Sequence, residues 1–211
     1  MQLFAITLFI TATFGAALLK RDNLSAKNLV TISPATASCG DTSAGAECRT
    51  AGQAVQNILG SFFMFRISDF NTQAALVAVM LYESGNFKYS KNHYPGVPGQ
   101  GTRNMQSPEY NAKYASYLST IPNSGISPSA FTTAQAQGPA AVLALVNTDL
   151  WSFSSAAWFL TTQCSQEVRN GLAQGTQAGW SNYLTQCIGT PATNDRTQVW
   201  DKVRSLGKWS T

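Results

Sequence analysis

The stretch TQAALVAVMLYESG, residues 72–85, is the most apolar helical segment of the chain. It contains eight consecutive apolar residues, so a helix formed here is apolar nearly all round. Such a helix belongs in the centre of a domain rather than on its surface. Asp69 or Asn71 provides an N-terminal cap, and Gly85 ends the helix. We therefore predict a buried central helix over about residues 72–84.

Helical patterns continue on both sides of this segment, whereas continuous strand patterns are absent. Between two of the helical patterns, residues 85–107 are rich in Gly and Pro, which predicts a long irregular loop or a short hairpin. We expect residues 22–47 to form an irregular arm. The predicted fold class is mainly α with the 85–107 insert, and the further helices are expected over 49–66, 108–119, 139–148, 153–163, 165–173, 177–187 and 194–206.

The composition of the 211 residues limits the function classes. With 44% apolar and 11% charged residues, the chain suits one domain with its own core. The formal charge of +4 becomes 12 − 10 = +2 without Lys20 and Arg21, which is too weak for a nucleic-acid-binding protein. A single histidine, His93, excludes a site with several histidine ligands. We expect no metal, no cofactor and a monomeric protein.

The N-terminus resembles a secretion signal. Residues 3–19 carry no charge, are too few for a comfortable membrane span and contain small residues suited to cleavage. We predict a signal peptide over residues 1–19, followed by Lys20-Arg21, which resembles the dibasic processing sites of fungal secreted proteins. Residues 22–211 then form a single secreted, extracellular domain without a membrane span.

Secretion makes disulfides the expected state of the four cysteines. Four cysteines allow three pairings. We favour Cys39–Cys48 and Cys164–Cys187, because each pair closes a short loop. Free or cross-paired thiols remain the alternative.

Glu83 is the most informative acid in the chain. It ends the apolar helix next to the irregular insert, and its side chain shares a face with Val79 and Met80. Loss of hydration and the C-terminal end of the helix dipole both favour the neutral carboxylic acid. A neutral acid of this kind is what protonation of a leaving-group oxygen requires. The structural alternative is a helix-end glutamate that only bonds to the loop.

Three segments resemble the lysozyme-like superfamily, and they occur in the order found there. Residues 82–87, YESGNF, resemble the Glu-Ser-x-x-Phe/Trp stretch of goose-type lysozymes and lytic transglycosylases. Residues 99–107, GQGTRNMQS, resemble both the Gly-Leu-Met-Gln segment of the transglycosylases and the Gly-Arg-Gly-x-x-Gln-Leu-Ser segment of plant-type chitinases. Residues 155–160, SAAWFL, resemble the Ala-x-Trp-Phe helix of those chitinases.

The resemblance implies a lysozyme-like catalytic domain and a set of roles. Glu83 matches the catalytic acid, and Ser84 matches the neighbour that orients it. Gln106 matches a glutamine of the sugar cleft, where Asn104 and Met105 also contact sugar.

Further loop residues suit a saccharide. Tyr89 and Arg103 combine an aromatic face with hydrogen-bond donors, which recognise sugar rings and their hydroxyl or acetamido groups. Tyr183 has two interpretations, as the late tyrosine that touches the acid in transglycosylases or as a core aromatic. Lys88, Lys91 and Arg103 favour an acidic polymer, unless they are ordinary solvated charges.

The sequence departs from the family in lacking a second acid. No acidic residue lies between Phe87 and Glu109, where related enzymes carry one. The remaining choices are Asp41, Asp69 and Asp149. Either an acetamido group of the substrate assists the reaction or a distant Asp positions water, and the sequence leaves both open.

These observations predict a secreted glycoside hydrolase that cleaves β-1,4 linkages of an N-acetylated aminosugar polymer. The expected partner is a cell-wall polysaccharide, with peptidoglycan favoured over a chitin-like polymer. The alternatives are a chitinase or chitosanase, or a secreted surface protein that binds glycan without cleaving it. A serine hydrolase is disfavoured, because the chain lacks the Gly-x-Ser-x-Gly motif.

Overall fold

The computed structural model describes residues 23–40 and 44–209. The predicted signal peptide, the dibasic site and Asp41 lie outside the described residues. Within those two ranges the fold is mainly α, as predicted, and the only bridges are isolated ones in the insert, Lys91 with Gly101 and Gly101 with Gln106. The α-helices are α1 Ala26–Ile32, α2 Ala51–Met64, α3 Phe70–Glu83, α4 Pro108–Ser119, α5 Pro128–Gln137, α6 Pro139–Val146, α7 Asp149–Gln163, α8 Gln166–Ala173, α9 Gln177–Asn182 and α10 Asn194–Arg204.

The predicted central helix is confirmed as α3. Every residue from Ala74 to Leu81 is buried, and α3 packs against α7, α8 and α10. Helix α7 is a second central helix, buried continuously from Trp151 to Leu160 and packed on α2. Helix α7 contains the 155–160 segment, and α3 ends with the first two residues of the 82–87 segment, two of the three segments that resemble lysozyme-like proteins. The core therefore fixes the relative positions of those segments.

Local capping explains where the helices begin. The side chain of Asp69 accepts the amide of Thr72 at the start of α3, and Thr50 with Gln53 forms a capping box at the start of α2. Ser107 caps α4, where Pro108 occupies the first turn. Each observed start lies within two residues of the predicted one for these helices. Capping signals in the sequence thus set these boundaries.

The structure contains two helices that the sequence patterns did not predict, α1 and α5. Helix α1 lies inside the segment predicted to be irregular, and it carries a capping box formed by Ser25 and Asn28. Its residues Leu29 and Ile32 are buried, and the helix packs on α2. A helix of seven residues is not stable alone, so tertiary packing is what forms it. Helix α5 follows a cap at Ser127, a signal that could have revealed it.

Both predicted disulfides are confirmed. The Cα atoms are 5.8 Å apart in Cys39–Cys48 and 5.2 Å apart in Cys164–Cys187. The second bridge ties the end of α7 to a π-helix, Tyr183–Ile188, which follows α9 directly. Disulfides form in oxidising compartments, so this pairing fits an extracellular protein. In the part of the chain that the structure describes, no helix is long and apolar enough to cross a bilayer.

Arg103 is a buried side chain that joins several backbone segments of the insert by hydrogen bonds. It is only 1% exposed, and its guanidinium donates to the carbonyl oxygens of Phe87, Tyr89 and Glu47 at 2.6–3.0 Å. The guanidinium also lies 4.8 Å from the ring centroid of Phe153. Burial lowers the pKa of Arg103 to about 10, so it remains protonated at neutral pH. The expectation that Arg103 binds sugar is therefore corrected, because the side chain is buried, its Nη1 and Nη2 donate to backbone carbonyls, and it does not line the cleft described below.

Candidate active site

A cleft of about 280 Å³ lies where α3 meets the insert and the C-terminal helices. Glu83 and Val79 reach it from α3, and α10 supplies Arg196. The side chain of Glu83 is 17% exposed, so it is accessible from the cleft without projecting into open solvent. The other lining residues are Gln100, Asn104, Met105, Gln106, Ser107, Tyr110, Phe159, Tyr183, Ile188 and Thr190.

A left-handed turn fixes the end of α3. Gly85, Asn86 and Phe87 have φ values of 58°, 64° and 64°, a conformation that costs energy for residues other than glycine. The hydroxyl of Ser84 donates to the carbonyl of Met80 and accepts the amide of Phe87 at 2.8 Å. These contacts differ from the role expected of Ser84, which was to orient Glu83 directly and to contact substrate. It is fully buried and stabilises the turn instead.

Glu83 forms an ion pair with Arg196. The two side chains are 17% and 15% exposed, so this contact is partly shielded from water. The guanidinium of Arg196 also stacks on the ring of Tyr82, with 4.3 Å between its central carbon and the ring centroid. No local pattern in the sequence indicated this pairing.

Asp195 precedes Arg196 in α10 and accepts hydrogen bonds from other side chains. The hydroxyl of Tyr82 donates to its carboxylate, and this hydrogen bond, together with burial, raises the pKa of Tyr82. Hydrogen bonds, first from Thr193 and then from Tyr82, lower the pKa of Asp195 to about 2. Asp195 is therefore ionised at neutral pH, and Tyr82 is neutral. The arrangement holds the start of α10 against the end of α3.

Tyr183 lies on the π-helix and forms part of the cleft wall. It is 1% exposed, and its ring packs at 6.2 Å from that of Trp180. Burial raises the pKa of Tyr183, and the nearby negative charge of Glu83 raises it further. The hydroxyl is therefore a protonated hydrogen-bond donor. Of its two interpretations from the sequence, the core aromatic is confirmed by this burial, and Tyr183 also lines the cleft that Glu83 lines.

The insert forms the opposite wall through a hydrogen-bonded chain of side chains. Ser155 on α7 donates to Oδ1 of Asn104 at 2.7 Å. The amide of Asn104 contacts Gln106, which donates to Oδ1 of Asn111 on α4 at 2.7 Å. Asn111 in turn donates to the carbonyl of Gly99 at 2.8 Å. This chain joins two of the segments that resemble lysozyme-like proteins and places Asn104, Met105 and Gln106 along the cleft, as expected for cleft residues.

Tyr89 lies away from the cleft. Its ring is 5.1 Å from that of His93, and it packs against Gly85. Tyr89 is absent from the cleft lining, so its expected contact with sugar requires a different surface.

Glu83 is the one carboxylate among the residues that line this cleft. Asp69 caps α3 at the end opposite Glu83, about 20 Å along the helix axis. Asp149 is paired with Arg49 at 2.7 Å. Of the sequence candidates for a second acid, these two are engaged elsewhere, and Asp41 lies outside the described residues. Residues 23–40 and 44–209 also hold no cluster of three or more His, Cys, Asp or Glu suited to a metal.

Comparison with known proteins finds a partial relative. A 140-residue stretch of this chain is 39% identical to a Fusarium oxysporum (strain Fo5176) protein named bifunctional dioxygenase (DOX)-epoxy alcohol synthase (EAS). The match covers 65% of this chain but only 11% of that protein. The two named enzyme activities are those of the longer protein. No family model and no solved structure matches this chain.

Proposed function

We propose that the protein is a secreted glycoside hydrolase that cleaves β-1,4 linkages of an N-acetylated aminosugar polymer, with Glu83 as the general acid. The observation that carries this proposal is a lone carboxylate at the end of a buried helix, facing a cleft. Peptidoglycan is the favoured substrate, and a chitin-like polymer is the second. The three-segment resemblance to lysozyme-like proteins supports the same assignment.

The lining of the cleft suits a saccharide. One aromatic residue of the lining is partly exposed and offers a flat apolar surface, on which the apolar face of a sugar ring packs. Its amide side chains offer donors and acceptors for hydroxyl and acetamido groups. That aromatic residue is Tyr110, whereas Phe159 and Tyr183 are buried in the wall behind the cleft, and the amides are Gln100, Asn104 and Gln106.

A single carboxylate is sufficient for substrate-assisted hydrolysis. Glu83 donates its proton to the glycosidic oxygen as the bond from that oxygen to C1 breaks, and the bonding electrons stay on the oxygen. The carbonyl oxygen of the sugar's own acetamido group forms a bond to C1. Water then attacks C1, releases the acetamido oxygen and returns a proton to Glu83. Intramolecular attack by a sugar hydroxyl is the non-hydrolytic alternative, and product analysis separates the two.

The ion pair with Arg196 favours a second candidate function. Proton donation requires Glu83 to be neutral, so the contact with Arg196 must open before the reaction. A protein that only binds glycan has no need to open it. The second candidate is therefore a secreted glycan-binding protein that uses the same cleft.

The test compares wild type with Glu83→Gln on peptidoglycan and on chitin oligomers. We expect Glu83→Gln to lower kcat by about 10²–10⁴-fold while saccharide binding persists. Glu109→Gln is the matched control, because Glu109 lies exposed on α4 outside the cleft and should retain full activity. Binding without cleavage by the wild type would favour the second candidate. Absence of both binding and cleavage would overturn the proposal.

A further inference from the structure

Building on the proposed function, we infer that Arg196 selects substrates that carry a carboxylate. The carboxylate of an acidic aminosugar replaces Glu83 as the partner of Arg196. Glu83, freed from the ion pair, then takes up the proton that it donates to the glycosidic oxygen. Arg196 is thus the specificity-determining residue of the cleft.

Arg196 has the donors that this exchange needs. Among the residues that line the cleft, it is the one cationic side chain. A guanidinium carries five N–H donors, and within the described part of the chain Arg196 uses only Nη1 to contact a side-chain acceptor, which is Oε1 of Glu83. Its flat face rests on Tyr82, so the edge remains available to an incoming carboxylate. Paired N–H donors fit the two oxygens of a carboxylate.

Arg196 faces Glu83 among groups that, within the described residues lining the cleft, carry no other positive charge. On α3, Val79 is apolar and Tyr82 is neutral. The π-helix presents the protonated Tyr183, and α10 also carries the ionised Asp195. Arg196 is the cation that balances this group. When a substrate carboxylate engages Arg196, Glu83 loses the opposite charge that it contacts, and an opposite charge is what stabilises the ionised form of a carboxyl group.

The exchange separates substrates by charge. A neutral chitin-like chain has no group that displaces Glu83, so it leaves the ion pair closed. A chain with free amino groups carries positive charge, which Arg196 repels. An N-acetylated aminosugar that bears a free carboxylate on its ring substituent, as N-acetylmuramic acid does in peptidoglycan strands that have lost their peptide stems, satisfies both the amide-lined wall and Arg196. The structure therefore favours an acidic aminosugar polymer.

The first experiment measures binding of two disaccharides by titration calorimetry. N-acetylglucosaminyl-N-acetylmuramic acid carries the carboxylate, and N,N′-diacetylchitobiose is a matched disaccharide without it. We expect wild type to prefer the acidic sugar by about tenfold or more. Arg196→Gln should lose this preference, whereas Lys202→Gln, an exposed cation on the same helix, should keep it.

The second experiment observes Glu83 directly by ¹³C NMR of the side-chain carboxyl carbons. The chain has four glutamates, and Glu83→Gln assigns the relevant signal. In wild type, the acidic disaccharide should move the Glu83 signal towards the protonated position, and the neutral one should not. A merely structural role for Arg196 would leave the signal unchanged by either sugar.

The outcomes keep the two proposals distinct. Equal binding of both sugars by wild type overturns the role of Arg196 and leaves the saccharide cleft standing. Binding of neither sugar overturns the proposed function itself. If Arg196→Gln does not fold, Arg196→Lys provides the test, because it keeps the charge and loses the paired donors. Its preference for the acidic sugar should fall below that of wild type, and an unchanged preference contradicts the inference.

Discussion

Glu83 and Arg196 lie 113 residues apart in the sequence and form an ion pair where α3 meets α10. The contact makes the C-terminal helix part of the cleft wall. It also means that the carboxylate at the end of the central helix is neutralised by a residue from the other end of the domain. Any chemistry at Glu83 therefore depends on the position of α10 as well as on α3.

Replacing Tyr183 by Phe should reduce turnover without unfolding the protein. The variant keeps the buried ring and removes a protonated hydroxyl beside Glu83, which would donate to the carboxylate left after proton transfer. We expect kcat on peptidoglycan to fall by about 10- to 150-fold, since one hydrogen bond to a charged group is worth about 1.5–3 kcal/mol. Steady-state kinetics and thermal unfolding provide the measurement. Tyr94→Phe, at a tyrosine that is 92% exposed, is the control, and equal kcat in both variants would contradict this role.

Replacing Glu47 by Gln should make the stability of the protein fall less steeply as the pH is lowered. Burial would raise the pKa of Glu47, but hydrogen bonds from Ser90, His93 and Lys91 lower it below its ordinary value. A carboxylate with a lowered pKa stabilises the folded state above its unfolded-state pKa, and the contribution is lost as pH falls through the folded-state value.

Thermal unfolding between about pH 6 and pH 3 measures this effect. Wild type should lose stability more steeply than Glu47→Gln over that interval. The control is Glu109→Gln, whose slope should match wild type. Parallel curves for wild type and Glu47→Gln would show that the Glu47 contacts do not contribute.

Two glycine substitutions should have opposite effects on stability. A Cβ on Gly101 would lie 2.6 Å from the carbonyl oxygen of Ser90 and 2.9 Å from a methyl carbon of Leu143, so Gly101→Ala must displace backbone. We expect it to lower the free energy of unfolding by about 1–3 kcal/mol. Gly60 lies inside α2 with no atom within 4 Å of the new Cβ, so Gly60→Ala should raise that free energy by about 0.5–1 kcal/mol. Urea denaturation measures both, and a stabilising Gly101→Ala would refute the close packing of the insert.

Replacing Arg103 by Met should destabilise the fold rather than weaken sugar binding. The change leaves the buried carbonyl groups that Arg103 serves without their donor. We expect a loss on the order of 3 kcal/mol in the free energy of unfolding. Arg66→Met, at an exposed arginine, should change it by less than about 0.5 kcal/mol. A lower saccharide affinity with unchanged stability would restore Arg103 as a sugar-binding residue.

The sequence by itself determined the elements that local patterns specify. An uninterrupted apolar run and an Asp cap define α3, and the end of that run places Glu83 beside the insert. The short spacing of the cysteines indicated both disulfides. Gly and Pro marked the insert, and its resemblance to known clefts placed Asn104, Met105 and Gln106 on the wall. These features depend on backbone propensity, capping and chain connectivity, all of which are readable within a few residues.

Only the tertiary structure decided where the long polar side chains point. Arg103 and Arg196 look alike in the sequence, yet one serves backbone carbonyls inside the insert and the other pairs with Glu83 in the cleft. Tyr183 reaches the cleft that Glu83 lines because the π-helix packs on α8 and a disulfide joins it to the end of α7, while α7 and α8 both pack on α3. A charged side chain takes the position in which distant segments provide an opposite charge or a carbonyl oxygen that needs a donor, at a place partly shielded from water. That environment cannot be predicted from neighbouring residues in the sequence, because it exists only once the helices have packed.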